Sequence, residues 1–141
     1  MTFIDSGGRK KNLKNASKYL INWRKKSLSK IQRAVKEFLE DYWKLDYVFE
    51  ELPVVGSRSR FDFYNATRRI VIEVNGTQHT TFNPFFQKTK NNFLGQVKRD
   101  LDKHDFCERN SITLAEITEK EFYGKSRKEL EDFFAEQGVI L

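Results

Sequence analysis

At 141 residues, with 38% hydrophobic and 14% aromatic side chains, the chain can build one hydrophobic core and is too short for two. Its single cysteine, Cys107, excludes an internal disulfide and fits a reducing compartment, and no apolar run reaches the ~18 residues a membrane span needs. The net charge of +6 is unevenly placed: residues 1–36 carry eleven basic side chains against Asp5 alone, while the rest of the chain carries fifteen basic and nineteen acidic groups.

No signal-peptide pattern opens the sequence, so a cytoplasmic, intracellular protein is expected. A basic segment of this kind attracts a polyanion, because each neutralised phosphate releases condensed counterions. A solvated helix or a disordered tail is the alternative reading of the same charges. Residues 1–12, with Gly7-Gly8 and a charge run, read as a flexible arm. Leu13 to Lys26 reads as a first helix carrying Leu13, Leu20, Ile21 and Trp23. Residues 1–28 are thus expected as a basic arm and 29–141 as the core domain. The arm's candidate DNA-binding residues are Arg9, Lys10, Lys11, Lys14, Lys18, Arg24, Lys25 and Lys26.

Ser29 is a good N-cap for a helix running to about Lys44, whose Ile31, Val35, Phe38, Leu39 and Tyr42 form a core-facing stripe. Tyr47 to Leu52 predicts a strand before Pro53. Arg58 to Tyr64 predicts another, with Phe61 and Phe63 on one face. Residues 65–68 read as a turn, and the β-branched run Arg69 to Val74 as a central strand ended by Asn75-Gly76. Thr77 to Gln87 lacks a period and reads as a loop. A helix over Lys90–Arg109 is expected to bury Phe93, Leu94, Val97, Leu101 and Phe106. A strand at Ile112–Ile117, a short helix near Glu119–Tyr123 and a Ser126-capped helix to Glu136 complete the chain. The order predicts an α/β (mixed α+β) fold, with a central mixed sheet of about four strands flanked by helices.

Two acids interrupt the apolar strands: Asp62 between Phe61 and Phe63, and Glu73 between Ile72 and Val74. If the strands pair through 65–68 so that Tyr64 faces Arg69, Asp62 lies opposite Val71. Glu73 then shares its face as a diagonal neighbour, ~7–8 Å away at the backbone. Two such carboxylates resist ionising together, and a hard divalent cation relieves the repulsion. The competing reading places both on a solvated face, paired with Arg58, Arg60 or Arg69. After Glu73 the strand exit presents Asn75, Gln78 and His79, and an imidazole there can serve as a proton acceptor. Asp100 and Lys103 lie one helical turn apart and share a face, unless they form an ordinary exposed ion pair.

The runs Arg60-Phe-Asp-Phe-Tyr, Ile72-Glu-Val-Asn-Gly-Thr-Gln-His79 and Arg99-Asp-Leu-Asp-Lys-His-Asp-Phe-Cys-Glu-Arg-Asn110, followed by Ile112-Thr-Leu, form one block. That block resembles the PD-(D/E)XK nuclease superfamily, in the branch related to very-short-patch repair and phage homing endonucleases. The resemblance covers residues 29–117 and implies a restriction-endonuclease-like core. It implies Asp62 and Glu73 as ligands of Mg2+ or Mn2+, Gln78 and His79 as the pair after the glycine turn, Asp100 as the helix acid and Lys103 as its nearby cation. The chain departs from the pattern at Asn75, where the branch often has Asp and the superfamily its lysine. It departs again at Gln32, where the branch often has a helix Glu. The implied function is a metal-dependent endonuclease of double-stranded DNA, of the phage freestanding homing type, encoded by a phage or bacterium. A homodimer would serve to cut both strands. The alternatives are a mismatch or branched-DNA nuclease on the same core, and a catalytically silent DNA-binding protein favoured by the two amides.

Overall fold

A computed structural model describes residues 1–75 and 90–141, leaving aside the side chains of residues 90–93, 96, 99 and 100. The loop expected at 77–87 lies outside the described residues, and so do Gln78 and His79. The central sheet has four strands in the order β3 (Val48–Pro53), β4 (Arg60–Asn65), β5 (Ile70–Asn75) and β6 (Thr113–Thr118). The first three run antiparallel, and β5 and β6 are parallel. Helices α1 (Lys30–Trp43), α2 (Lys90–Arg109), α3 (Glu119–Tyr123) and α4 (Arg127–Glu136) accompany it, giving the mixed α+β architecture expected from the sequence. Among the described residues, no helix is long and apolar enough to cross a membrane.

The N-terminal segment differs from both expectations. Instead of an arm, Thr2–Ile4 (β1) and Lys10–Asn12 (β2) form a hairpin, turned by Gly8 at a φ of 79° and by the Asp5 carboxylate, which accepts the Gly7 and Arg9 amides. Phe3 is buried against Phe106 and Tyr64. The Asn110 side chain accepts the Ile4 amide at 2.7 Å and donates to the Ile4 carbonyl at 3.0 Å, so it stands in for a neighbouring strand. Instead of a helix over 13–26 there is one 3-10 turn, Ala16–Tyr19, entered through left-handed Asn15. Beyond it the chain lies along the sheet edge, with Leu20 bridged to Phe49 and the Ile21 amide donating to Val48. The apolar residues there follow no sustained helical stripe, and satisfying the open edge of β3 outweighs a weak helical propensity. Asn110→Ala removes the acceptor of the Ile4 amide and leaves the Ile4 carbonyl with the longer contact from Arg109 Nε. It should lower the unfolding free energy by about 1–3 kcal/mol in urea denaturation.

The helices with clear stripes form as expected. Ser29 Oγ accepts the Gln32 amide, and α1 buries Val35, Phe38, Leu39 and Trp43. Ser126 and Glu129 form a capping box that starts α4, and Thr118 and Glu121 form another that starts α3. One core joins α1 and α4 to Ile70, Ile72, Phe63, Ala115 and Ile117. A second joins Phe106 and Cys107 of α2 to Val71, Tyr64 and Phe61. Because Val71 alternates with Ile70 and Ile72, the two cores lie on opposite faces of the sheet. Leu94 and Leu101 do not join the expected buried set of α2: they are 53% and 59% exposed. Full burial on the described part of α2 is confined to Phe106 and Cys107, near its C-terminal end.

Two corrections to strand geometry position the site. Tyr64 pairs with Val71, not Arg69, because the turn is longer: Asn65 pairs with Ile70, and its Oδ1 accepts the Arg68 amide. A shift of two residues does not by itself turn a side chain to the other face. Phe61 and Phe63, expected on one face, belong to the two different cores, so alternation breaks at Asp62. β3 breaks alongside it. Glu51 adopts a left-handed φ of 56°, and Leu52 joins Phe49 in the second core.

Candidate active site

The β4–β5 ladder ends at Phe63 paired with Ile72, and the next rank of the same register sets Asp62 opposite Glu73, not Val71. At that rank the side chains take over the work of the backbone. The Asp62 amide donates to Glu73 Oε2 at 2.8 Å, and the Val74 amide donates to Asp62 Oδ2 at 2.7 Å. Each acid thus accepts an amide of the other's strand, and the two carboxylates are held side by side. The break in alternation at Asp62 is the local geometry that allows this.

The same rank continues across the sheet. Glu50 pairs with Phe63 and Leu52 with Phe61, which brackets Glu51 opposite Asp62, while Glu73 is the register partner of Glu116 on β6. Four acids, Glu51, Asp62, Glu73 and Glu116, therefore form one row. Glu116, between Ala115 and Ile117, interrupts apolar strand residues just as Asp62 and Glu73 do, whereas Glu51 follows Glu50 and carries no such signal. From α2, Lys103 forms an ion pair with Glu73 Oε1, and His104 Nε2 lies 3.1 Å from Glu116 Oε1. From α1, Gln32 is buried and its Nε2 donates to Glu50 Oε2 at 2.9 Å and to Glu51 Oε1 at 3.1 Å. Gln32 thus leans toward the acid row, as its helix position implies.

Asn75 ends β5 paired with Thr118 and borders a recess lined by Glu116, Glu121 and Phe133. Asp100 lies on α2 one turn before Lys103, with its side chain outside the described set. The alternative in which Glu73 sits on a solvated face does not hold: Glu73 is 5% exposed. Arg69 instead donates to the Asn110 and Ser111 carbonyls at the end of α2. In the basic segment, Arg9, Lys10, Lys11, Lys14, Lys18, Arg24, Lys25 and Lys26 are all exposed, and Arg24 pairs with Glu40. Lys36 is no surface cation. It is 1% exposed, and its Nζ binds Glu50 Oε1 at 2.8 Å and the Lys25 carbonyl at 2.9 Å.

Comparison with known proteins adds sequence relatives but no activity. No family model matches the chain, and no solved structure matches it. Uncharacterized protein 033L of Invertebrate iridescent virus 3 is 31% identical over 87 residues, covering 58% of this chain and 45% of that protein. Uncharacterized protein 307L of Invertebrate iridescent virus 6 is 39% identical over 56 residues, covering 40% of this chain and 28% of that protein. The chain spans less than half the length of either relative.

Electrostatics makes the acid pair costly to ionise fully, even with Lys103 against Glu73. Burial first, and then the charge of Glu73, push Asp62 up to about 8, against the opposing pull of the Val74 amide and Lys103. Burial also raises Glu73, with Lys103 opposing. The Cys107 thiol is pushed up to about 12 by burial and by Glu73, so it is no nucleophile near neutral pH. Two facing carboxylate groups are hard oxygen donors suited to Mg2+ or Mn2+, which commonly take one or two protein carboxylates and complete their shell with water and phosphate oxygens. Among the described residues, no group of three or more His, Cys, Asp or Glu side chains is arranged to hold a metal ion. The described donor set is therefore the Asp62–Glu73 pair.

A carboxyl whose folded pKa exceeds its unfolded value of ~3.9 binds its proton more tightly in the folded protein. The stability it contributes is present at low pH and lost as pH rises toward about 8. In EDTA, the melting temperature should therefore fall as pH is raised from about 5 to 8. Mg2+ should raise it more at the alkaline end, where both acids are free to ionise. Thermal melts across pH, with and without the ion, check both statements.

Proposed function

We propose that this chain is a metal-dependent endonuclease that hydrolyses phosphodiester bonds in DNA. The observation that carries the reading is the pair of facing carboxylates, Asp62 and Glu73, with Lys103 against one of them. Asp62 and Glu73 would hold Mg2+ or Mn2+, which would supply Lewis acidity for phosphodiester hydrolysis. The Asp62 and Val74 amides fix the two carboxylates in place, and an ion bound there would share Glu73 with Lys103. Lys103 brings a cation to the same edge, where it offsets carboxylate charge and favours approach of a phosphate. Gln32 keeps Glu51 turned toward α1, beside the pair.

The exposed lysines and arginines of the N-terminal segment would hold the DNA backbone, making binding steeply salt-dependent. Cutting both strands calls for two copies of the chain, as a homodimer. The sequence block that resembles phage homing endonucleases supports that role, and both relatives named above come from viruses. The second reading, a catalytically silent DNA-binding protein, is favoured by the amides Gln32 and Asn75, neither of which is a charged ligand.

An end-labelled duplex incubated with the protein in Mg2+, Mn2+ or EDTA separates the two. Cleavage is expected with either metal and none in EDTA. A protein that binds the duplex equally in all three and never cuts it is a binding module.

A further inference from the structure

Next to the acid row runs a groove of about 360 Å³ whose walls carry Lys18, Tyr19, Leu20, Lys25, Lys26 and Leu28, with Glu50 and Glu51 on its floor. We propose that this groove holds single-stranded DNA, so that a duplex carrying an unpaired extension beside the bond to be cut is preferred over a plain duplex. The proposal rests on the nuclease reading only for the neighbouring phosphate at Asp62 and Glu73.

Three observations carry it. First, the walls are cationic and the basic loop is rigidly placed. Lys36 Nζ donates to the Lys25 carbonyl, and Ser27 Oγ donates to Glu50 Oε2 at 2.6 Å. Glu50 is itself paired with Lys36, and Glu51 accepts from Gln32, so the floor acids are already engaged by internal partners. Second, apolar surface is interleaved with the lysines. Leu28 is 81% exposed, Leu20 is 45% exposed, and the Tyr19 ring carries Lys18 Nζ at 5.2 Å from its centre. A duplex offers phosphates and sugars to such a wall, and lysines alone would serve it. Unpaired bases stack on aromatic faces set among the charges, as in single-strand platforms, and Tyr19 is the ring that this wall offers. Third, the size is near the lower end of small-molecule pockets, ~300–1,000 Å³, the scale of a nucleotide rather than a duplex. Glu51, which lines the groove, is bracketed by the register opposite Asp62, so the groove adjoins the acid pair.

Fluorescence anisotropy in EDTA tests the proposal without cleavage. The probes are a blunt duplex, the same duplex with a single-stranded DNA extension of about eight nucleotides, within the ~4–16 nucleotides typical of such sites, and its RNA-extended counterpart. The DNA-extended probe should bind about tenfold tighter than the blunt one. The variant Lys18→Gln/Lys26→Gln/Leu28→Ser, changed only at exposed positions, should lose that preference, and Lys128→Gln on α4 should keep it. In the wild type, a bromodeoxyuridine in the extension should photo-cross-link to the groove at Tyr19 or Leu20. Equal binding of blunt and extended duplexes, tighter binding of the RNA extension, or cross-links mapping elsewhere would each overturn the proposal. Metal-dependent cutting without the preference leaves the nuclease reading and removes the groove. The preference without cutting removes the nuclease reading and leaves the groove.

Discussion

Asp62→Asn should abolish metal-dependent cleavage, by a factor on the order of 10³ or more, while making the metal-free protein more stable above neutral pH. The two effects have one cause. The Asn side-chain carbonyl can still accept the Val74 amide, so the strand edge keeps its geometry. What disappears is a buried negative charge facing Glu73, the interaction that with burial raises Asp62 to about 8. With one charge gone, Glu73 and Lys103 form a simple ion pair, and the fall in melting temperature between about pH 5 and 8 should flatten. A divalent cation would then find only one carboxylate, and the added stability from Mg2+ should shrink. An acid kept for folding alone would lose stability on this substitution, so opposite signs for stability and activity mark a residue retained for chemistry. Melts in EDTA and Mg2+, read beside a cleavage assay, decide it.

Lys36→Met should lower the unfolding free energy by about 3–5 kcal/mol. The ammonium is buried to 1% exposure, and its partner carboxylate on Glu50 keeps only 14% of its own surface. Removing the cation leaves Glu50 without its countercharge, held by Ser27 and Gln32 alone. It also releases the Lys25 carbonyl, and with it one of the ties that hold the basic loop against α1. Replacing both partners, as Lys36→Met/Glu50→Leu, should recover much of the loss, because no charge is then left buried. Urea denaturation of the two single variants and the double variant forms a cycle that isolates the pair.

Much of this architecture is legible in the sequence because local signals and tertiary needs agree. Ser29 and Ser126 cap their helices, and the stripe Val35, Phe38, Leu39 meets the sheet as its spacing requires. Ile70 to Val74 forms a central strand, with Glu73 turned to the face opposite Ile72. The failures have distinct physical causes. Residues 13–26 contain apolar groups that local propensity leaves undecided, and the free edge of β3 decides them. Leu94 and Leu101 keep helical spacing on a part of α2 that does not bury them among the described residues.

The acid site was legible in its two central members but not in its geometry. Strict alternation cannot foresee that β3 and β4 both change face at one rank. That change depends on a left-handed Glu51 and on carboxylates replacing carbonyls as acceptors for Asp62 and Val74. Glu116 was hidden for another reason, since its relation to Glu73 comes from parallel pairing between segments far apart in sequence. Lys103 was legible as a cation one turn from Asp100, and the structure pairs it with Glu73.

The most direct measurement is a time course on supercoiled plasmid with the wild-type protein and with Glu73→Gln, each in Mg2+ and in EDTA. The wild type should convert the plasmid to nicked or linear form only when the metal is present, and Glu73→Gln should leave it supercoiled. Persistent supercoiled plasmid with folded wild type in Mg2+, or equal cutting by Glu73→Gln, would contradict the claim that these two strand carboxylates form a hydrolytic metal site.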